Sequence, residues 1–249
     1  EISIRDNDLL ADIRLQNLQT IDELRIESDV VSALDLGSLT TVLPPGCTFG
    51  CFDLATPNLT TLDLGSLVST PSIIVEDTAL VALSLPQLQT VADEFRVADN
   101  LSLTAFEAPL LQSVGDTFLV DDNPLLAELS FPVFTDVGRL EIAFNDGLTA
   151  LSMPAVTQAI SVDLTRNSLL PTFDLSSLAT VGPVGTGDDG DVRIEANLVL
   201  EDLAGLSALT DVAGDLFVRF NTILPDSAAQ GLANVVTVGG QVVITGNGP

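Results

Sequence analysis

The sequence contains no lysine, histidine, tyrosine or tryptophan, and it has only one methionine and two cysteines. Without histidine or lysine, the base that usually activates a serine or cysteine nucleophile is missing. No apolar run is long enough to cross a bilayer, which argues against direct membrane insertion. We therefore predict no catalytic residues and no membrane-spanning segment.

Positive charge is also scarce, because 35 acidic residues stand against eight basic ones, all of them arginine, for a formal net charge of −27. A field of that sign repels nucleic acid and anionic membrane surfaces, so no nucleic-acid partner is expected. It keeps the chain soluble and attracts divalent cations. The arginines are spread along the chain.

A repeat of 22 residues becomes visible between Val137 and Val181. Counted from Ile142, the positions of Asn145, Leu148, Leu151, Met153, Val156 and Ala159 recur from Leu164 onward. The recurring positions are Asn167, Leu170, Phe173, Leu175, Leu178 and Val181. A fixed period of this size is typical of a solenoid.

The same unit, L-x-[IV]-x-x-N-x-x-L-x-x-L-x-[LF]-P-x-L-x-x-V, can be followed through the chain, with an apolar anchor three residues before the Asn position. The anchor pairs are Ile4 with Asn7, Ile26 with Asp29, Leu54 with Pro57, Val75 with Thr78, Val97 with Asn100, Val120 with Asn123, Ile142 with Asn145, Leu164 with Asn167, Ile194 with Asn197, Val218 with Asn221 and Ile244 with Asn247. This makes about ten turns and a fragment. We predict a single domain over 1–249 with insertions at 43–51 and 182–191.

Apolar residues fall in pairs two apart, such as Leu140 and Ile142, which is the period of a strand. The pairs are separated by Asn, Pro, Gly and Asp, which favour turns. The prediction is an all-β fold, a parallel β-helix. Its short strands stack at about 4.8 Å per turn into a rod roughly 50 Å long. One turn cannot offset its own ordering entropy, so neighbouring turns must stack.

The recurring asparagines are expected to point inward as a ladder that pairs backbone groups of its own and neighbouring turns. The expected members are Asn7, Asn100, Asn123, Asn145, Asn167, Asn197, Asn221 and Asn247. A structural role is favoured over a polar active site.

This motif resembles the receptor L-domain repeat, a relative of the leucine-rich repeat. That repeat occurs in the ectodomains of insulin- and epidermal-growth-factor-type receptors and in GPI-anchored fungal cell-wall proteins. The resemblance covers nearly the whole chain and implies a right-handed solenoid. This chain lacks the cysteine-rich module of the receptors, so growth-factor binding is not implied.

Cys47 and Cys51 lie in the first insertion, close enough to form a disulfide bond. The bond would stabilise the loop by roughly 2 kcal/mol and would indicate an exported protein. Two thiols or a C-x3-C metal site are the alternatives, although no third ligand is evident.

The second insertion places Asp188, Asp189 and Asp191 on a glycine-rich loop that could offer oxygens to Ca²⁺. The spacing lacks the ligand positions of an EF-hand, so a solvated acidic loop is the favoured interpretation, and no cofactor is otherwise expected.

Two glycosylation sequons begin at Asn58 and Asn100. Asn100 belongs to the inward ladder, which argues against its modification. Asn58 is a candidate only in a eukaryotic source.

Two further functions deserve comparison. A column of Thr20, Thr41, Ser69, Thr90, Ser113, Asp136, Gln158, Thr180 and Asp211 could match ice or another crystal lattice, but it is interrupted by Asp and Gln. A β-helix enzyme acting on polysaccharides is the other alternative. The negative charge of this chain would repel a polyuronate substrate. Paired carboxylates are poor evidence for a glycosidase in so acidic a chain.

We therefore predict a non-enzymatic extracellular or cell-surface module, structural or adhesive in role. The chain opens and stops within a repeat, which indicates a processed chain or an excised segment. Bare solenoid ends invite association, so assembly of copies end to end is one expectation. Binding of a cell-surface protein or glycan by an outer sheet face is the alternative.

Overall fold

A computed structural model describes residues 1–5, 7, 9–43, 51–182 and 190–249, and it confirms the predicted β-solenoid. Its strands pair in parallel with the strands of the turns before and after, about 22 residues away in sequence. Three sides of the solenoid can be distinguished by the strands they contain.

The first side carries the longest strands, one from each turn. They are β1 (Ile2–Arg5), β4 (Leu24–Glu27), β7 (Phe52–Ala55), β10 (Ile73–Glu76), β13 (Phe95–Ala98), β15 (Ser113–Asp121), β17 (Asp136–Ala143), β20 (Ser161–Thr165), β23 (Val192–Glu195), β25 (Leu216–Arg219) and β27 (Val242–Thr245).

The second side carries shorter strands that follow the Asn corner. They are β2 (Asp12–Arg14), β5 (Ala33–Asp35), β8 (Thr61–Asp63), β11 (Ala82–Ser84), β14 (Ala105–Glu107), β16 (Glu128–Ser130), β18 (Ala150–Ser152) and β21 (Phe173–Asp174).

The third side is built from two-residue strands and from the first residues of β15 and β17, which bend round the corner into the first side and so join both sides in one 19-stranded sheet. The short strands are β3 (Thr20–Ile21), β6 (Thr41–Val42), β9 (Ser69–Thr70), β12 (Thr90–Val91), β19 (Gln158–Ala159), β22 (Thr180–Val181), β24 (Asp211–Val212) and β26 (Thr237–Val238).

The register of the first side follows the repeat. Ile142 lies opposite Val120 on one neighbour and Leu164 on the other, and the same column runs from Ile4 to Ile244. These side chains point inward because alternate residues of a strand face opposite ways. They form one continuous core of Leu, Val and Ile.

Five phenylalanines interrupt this aliphatic core in the middle of the rod: Phe95, Phe106, Phe118, Phe131 and Phe134. Their rings meet edge to face or tilted in most pairs, and the Phe118 and Phe131 centroids are 5.1 Å apart. Such geometry is favourable for aromatic quadrupoles.

Threonine hydroxyls link adjacent turns at two corners. Each donates a hydrogen bond to a carbonyl of the preceding turn, within 3.1 Å, at Thr40, Thr60, Thr104, Thr149 and Thr210. Although these threonines are exposed, their hydroxyls hold adjacent turns together.

Helical structure replaces the second side near the C-terminus, which the sequence reasoning did not predict. A 3-10 helix spans Ala204–Leu206, and α1 spans Asp226–Ala233. Helix α1 begins after Pro225, with Asp226 in its first turn, and it buries Ala229 and Leu232. An acidic residue in the first turn of a helix favours this start. At eight residues, α1 is too short to display a long amphipathic repeat in the sequence.

Candidate binding face

The Asn ladder is present in the middle and C-terminal turns. Asn100, Asn123, Asn145, Asn167, Asn197 and Asn221 are buried, and Asn247 is half-buried. In each, Oδ1 accepts the backbone N–H of the ladder residue one turn earlier, as from Asn123 to Asn145 at 3.2 Å. Nδ2 donates to a carbonyl of the preceding turn, as from Asn145 to Val120 at 2.9 Å. The ladder therefore joins turns and is structural.

Asn7 departs from this pattern. Its side chain is exposed, and Oδ1 accepts the backbone N–H groups of Leu9 and Leu10 in its own turn, at 3.4 and 3.2 Å. No described turn lies before it to donate the N–H that the other rungs receive. Asn7 is thus not an inward rung like the others.

The next two turns also differ from the pairs predicted from sequence spacing, which were Ile26 with Asp29 and Leu54 with Pro57. Asp29 and Pro57 are exposed, whereas Ser28 and Thr56, one residue earlier in each turn, are buried. From the fourth turn onward an extra residue precedes the ladder position and has positive φ, between 49° and 60°. These residues are Asp77, Asp99, Asp122, Phe144, Arg166, Ala196 and Phe220. Turns without that extra residue place their inward polar side chain one position sooner.

These left-handed residues are not glycines, so each carries a conformational penalty of roughly 1–2 kcal/mol. Each also donates its backbone N–H to a carbonyl of the next turn, as Ala196 does to Arg219 at 2.9 Å. The stack therefore holds the corner in place. Aspartate, found at the first three of these positions, tolerates the left-handed conformation, but Phe144, Arg166, Ala196 and Phe220 gave no signal of it in the sequence.

The arginines are spread along the chain but gathered in space. Six of the eight lie on the first side and point outward, alternating with the inward column: Arg5, Arg25, Arg96, Arg139, Arg193 and Arg219. Arg166 follows the end of β20, and Arg14 lies on the second side. The first side is therefore a face of mixed charge on a strongly acidic molecule. Spacing from the inward anchors could have revealed it.

Each of the six arginines on this face has a carboxylate within ion-pair distance, which for Arg5 is Glu27 at 4.0 Å. The other N···O distances are 3.4 Å for Arg25–Asp53, 3.0 Å for Arg96–Glu76, 3.0 Å for Arg139–Asp116, 2.6 Å for Arg193–Asp191 and 2.6 Å for Arg219–Glu195. Exposed pairs of this kind contribute little to stability, about 0–1 kcal/mol each. Their alignment on one face is what distinguishes them.

An open cleft of about 260 Å³ lies on this face, over β17, β20 and the start of β23. Its polar lining comprises Arg139, Glu141, Ser161, Asp163, Asp191 and Arg193. Glu141 and Asp163 stand directly opposite each other in the strand register.

Three carboxylates on this face lie where burial and neighbouring negative charges disfavour their ionised forms. Burial, followed by the charge of Asp163, raises the pKa of Glu141. Burial also raises the pKa of Asp163, against the hydrogen bond from Thr165 and the charge of Arg193. Burial, with Asp122 and Glu141 nearby, raises the pKa of Asp121 to about 6.

An aromatic ring lies beside the cleft. The guanidinium carbon of Arg193 lies 4.5 Å from the centroid of the Phe217 ring, and that of Arg219 lies 4.7 Å from it. Arginine prefers the face of an aromatic ring for such contacts. Arg193 therefore connects this stack to the cleft.

The predicted disulfide and calcium sites fall largely outside the described residues. Cys51 is buried, but Cys47 lies beyond them, so the disulfide stays a prediction. Asp188 and Asp189 also lie outside. Asp191 is described: it forms an ion pair with Arg193 and accepts the backbone N–H of Asp215 at 2.8 Å. Within the described ranges, no group of three or more His, Cys, Asp or Glu side chains is arranged to hold a metal ion.

The remaining predicted positions are placed as follows. Asn58 is exposed, and its Nδ2 donates to the Asp29 carbonyl. Asn100 is fully buried in the ladder, and the expectation that it is not modified stays a prediction. The hydroxyl column on the third side is in register from Thr20 to Asp211, with five uninterrupted Thr and Ser residues up to Ser113.

In the part of the chain that the structure describes, no helix has the length and apolarity needed to span a membrane. Comparisons of the chain with protein-family models, with curated proteins and with solved structures give no match.

Proposed function

We propose that this chain is a non-enzymatic extracellular or cell-surface module, structural or adhesive in role, that presents the outer surface of its first side to a partner. The observation that carries the proposal is the gathering of six arginines on that surface of a chain with net charge −27. Rigid parallel stacks present extended surfaces of regular spacing, which is how solenoid proteins bind partners.

The repeat itself is part of this proposal. The L-x-[IV]-x-x-N motif supports a receptor L-domain type of solenoid, whose outward residues vary while the inward ones build the stack. The predicted Cys47–Cys51 bond supports an exported setting.

A bead-adhesion assay tests the proposal. Beads coated with the chain are passed over surfaces carrying a neutral polysaccharide, an anionic polysaccharide, a mucin-type glycoprotein or a fibrous matrix protein. We expect retention on at least one surface, reduced about tenfold when Arg96, Arg139 and Arg193 are together changed to Gln, a loss of about 1.4 kcal/mol. Arg14→Gln on the second side is the matched control and should leave retention unchanged. Retention on none of the surfaces, or equal retention of all variants, would overturn the proposal.

End-to-end assembly is a second candidate role, favoured by the outermost strands. Ile4 and Ile244 occupy the same inward column, and Asn7 and Asn247 each follow three residues later. A second copy stacked on β27 would continue both columns.

Light scattering on a size-exclusion column, with negative-stain images of the same fractions, tests this role. Filaments with an axial repeat of about 50 Å are expected if copies stack end to end. A monomeric rod at micromolar concentrations rules the role out and leaves the lateral face as the functional surface.

A further inference from the structure

The cleft on the first side is lined by both small and long side chains. Ser161 on β20 lies opposite Arg139, and Gly190 just before β23 lines the cleft together with Arg139 and Arg193. The depression crosses the strands and is open to solvent.

The charges lining this cleft nearly balance, unlike those of the molecule as a whole. Two guanidinium groups, of Arg139 and Arg193, face three carboxylates, of Glu141, Asp163 and Asp191. The cleft therefore places strong hydrogen-bond donors and strong acceptors side by side. A guanidinium carries five N–H donors, and an ionised carboxylate only accepts.

Such a lining suits a ligand whose groups both donate and accept. A hydroxyl group does both, and a sugar ring carries several on adjacent carbons. A polyanion would be repelled by the field of the chain, and a polycation would meet the two arginines. A neutral polysaccharide avoids both penalties.

The stack beside the cleft supplies the apolar contact that a sugar ring also requires. Phe217 is half-buried, and the guanidinium carbons of Arg193 and Arg219 lie 4.5 and 4.7 Å from the centroid of its ring. Binding sites commonly combine an aromatic or apolar wall with a few convergent polar groups.

We propose that this cleft binds a neutral polysaccharide chain, with hydroxyl groups held by Glu141, Asp163 and Arg193 and a ring packed against the Phe217 stack. The inference rests on the proposed function and names the ligand class for that face.

The cleft carboxylates can be neutralised without loss of stability, so their role in binding can be tested separately from folding. Burial raises the pKa values of both Glu141 and Asp163, so their charged forms destabilise the fold. Neutral isosteres should be tolerated or stabilising.

Affinity gel electrophoresis tests the inference, with laminarin and galactomannan as neutral probes and polygalacturonate as the anionic one. We expect retardation by at least one neutral probe. The double variant Glu141→Gln and Asp163→Asn should weaken that retardation at least tenfold, while its thermal midpoint stays equal to or above that of the parent. Asp53→Asn is the matched control, because Asp53 lies on the same face with a pKa also raised by burial, but outside the cleft.

The outcomes separate the two proposals. Retardation by neither neutral probe, or retardation that the double variant leaves intact, overturns the cleft assignment. Bead retention on the glycoprotein or matrix protein without neutral-probe retardation leaves the proposed function standing and rejects this ligand. Absence of bead retention on every surface rejects the proposed function itself.

Discussion

At the scale of single residues, the ladder asparagines contribute most to specifying the fold. Asn145 satisfies the backbone N–H of Asn123 and the carbonyls of Val120 and Ala143 at once. No apolar residue of similar size could do this, since it offers neither donor nor acceptor. A polar side chain in the core is therefore required by backbone groups that the corner leaves unpaired.

Replacing Asn145 with Ala should destabilise the chain by about 3–5 kcal/mol, because each buried group left unpaired costs roughly 1–3 kcal/mol. Urea unfolding followed by circular dichroism measures the loss. Asn7→Ala, at an exposed position, is the control and should change stability by less than about 1 kcal/mol. Similar losses in both variants would contradict the structural role assigned to the buried ladder.

Ala196 tests the left-handed corner. Its φ of 55° disfavours any residue with a Cβ. We expect Ala196→Gly to stabilise the chain by about 0.5–1 kcal/mol, the relief of strain exceeding the added chain entropy. Ala82→Gly, at an exposed position of strand β11, should instead destabilise by about 0.5–1 kcal/mol. Thermal and urea midpoints that fall for both variants would show that the corner stores no strain.

At the scale of elements, the outer surface of the first side carries partly buried carboxylates that lie close to other negative charges. Asp121 illustrates this, since its pKa of about 6 lies well above the ordinary value for aspartate. The folded state therefore binds a proton more tightly than the unfolded state does. The contribution to stability is present at acidic pH and is lost as the pH rises through about 6.

Asp121→Asn should remove this dependence and raise stability at pH 7 by about 1 kcal/mol, a figure reduced because the carboxyl is partly exposed and screened. Thermal midpoints measured from about pH 5 to pH 7.5 should fall for the parent and fall less for the variant. Asp35→Asn is the control of opposite sign. The pKa of Asp35 is lowered by hydrogen bonds from Gln16 and the Gly37 N–H, so its neutralisation should destabilise at pH 7. A variant of Asp121 less stable than the parent at pH 7 would contradict the assignment.

The elements also show how far the sequence alone could predict the structure. The strands, their register and the buried asparagines could be predicted from apolar spacing, because apolar residues recur at the inward positions of every turn. The column containing Ile142 and Leu164 was predicted and confirmed. The left-handed corner was only partly visible in the sequence, because aspartate at its first three positions tolerates that conformation but Phe144 and Ala196 do not signal it. Its absence in two turns shifted the inward position to Ser28 and Thr56.

The candidate face was harder to predict, because its residues come from turns that lie far apart in sequence. Arg139, Asp163 and Arg193 become neighbours only once the register is known and outward positions are separated from inward ones. Helix α1 was missed because it is short and closes a turn that still obeys the repeat on its other sides.

At the scale of the whole molecule, the net charge of −27 opposes compaction. Raising NaCl from about 0.05 to about 0.5 M shortens the screening length severalfold and should raise the thermal midpoint at pH 7. Scanning fluorimetry measures the change. Tetramethylammonium chloride at equal ionic strength is the control and should act equally, since screening does not depend on the cation. A midpoint that falls with both salts would show that the arginine pairs outweigh the repulsion.

The direction of the ladder's hydrogen bonds matches the order in which the turns are synthesised. The backbone N–H of a ladder residue donates to the side-chain oxygen of the asparagine one turn later in the chain, as Asn123 does to Asn145. A ribosome delivers the turns in that same order, so every newly released turn completes the one made just before it. We expect the rod to grow behind the ribosome as a moving front, with only the latest turn waiting for its partner.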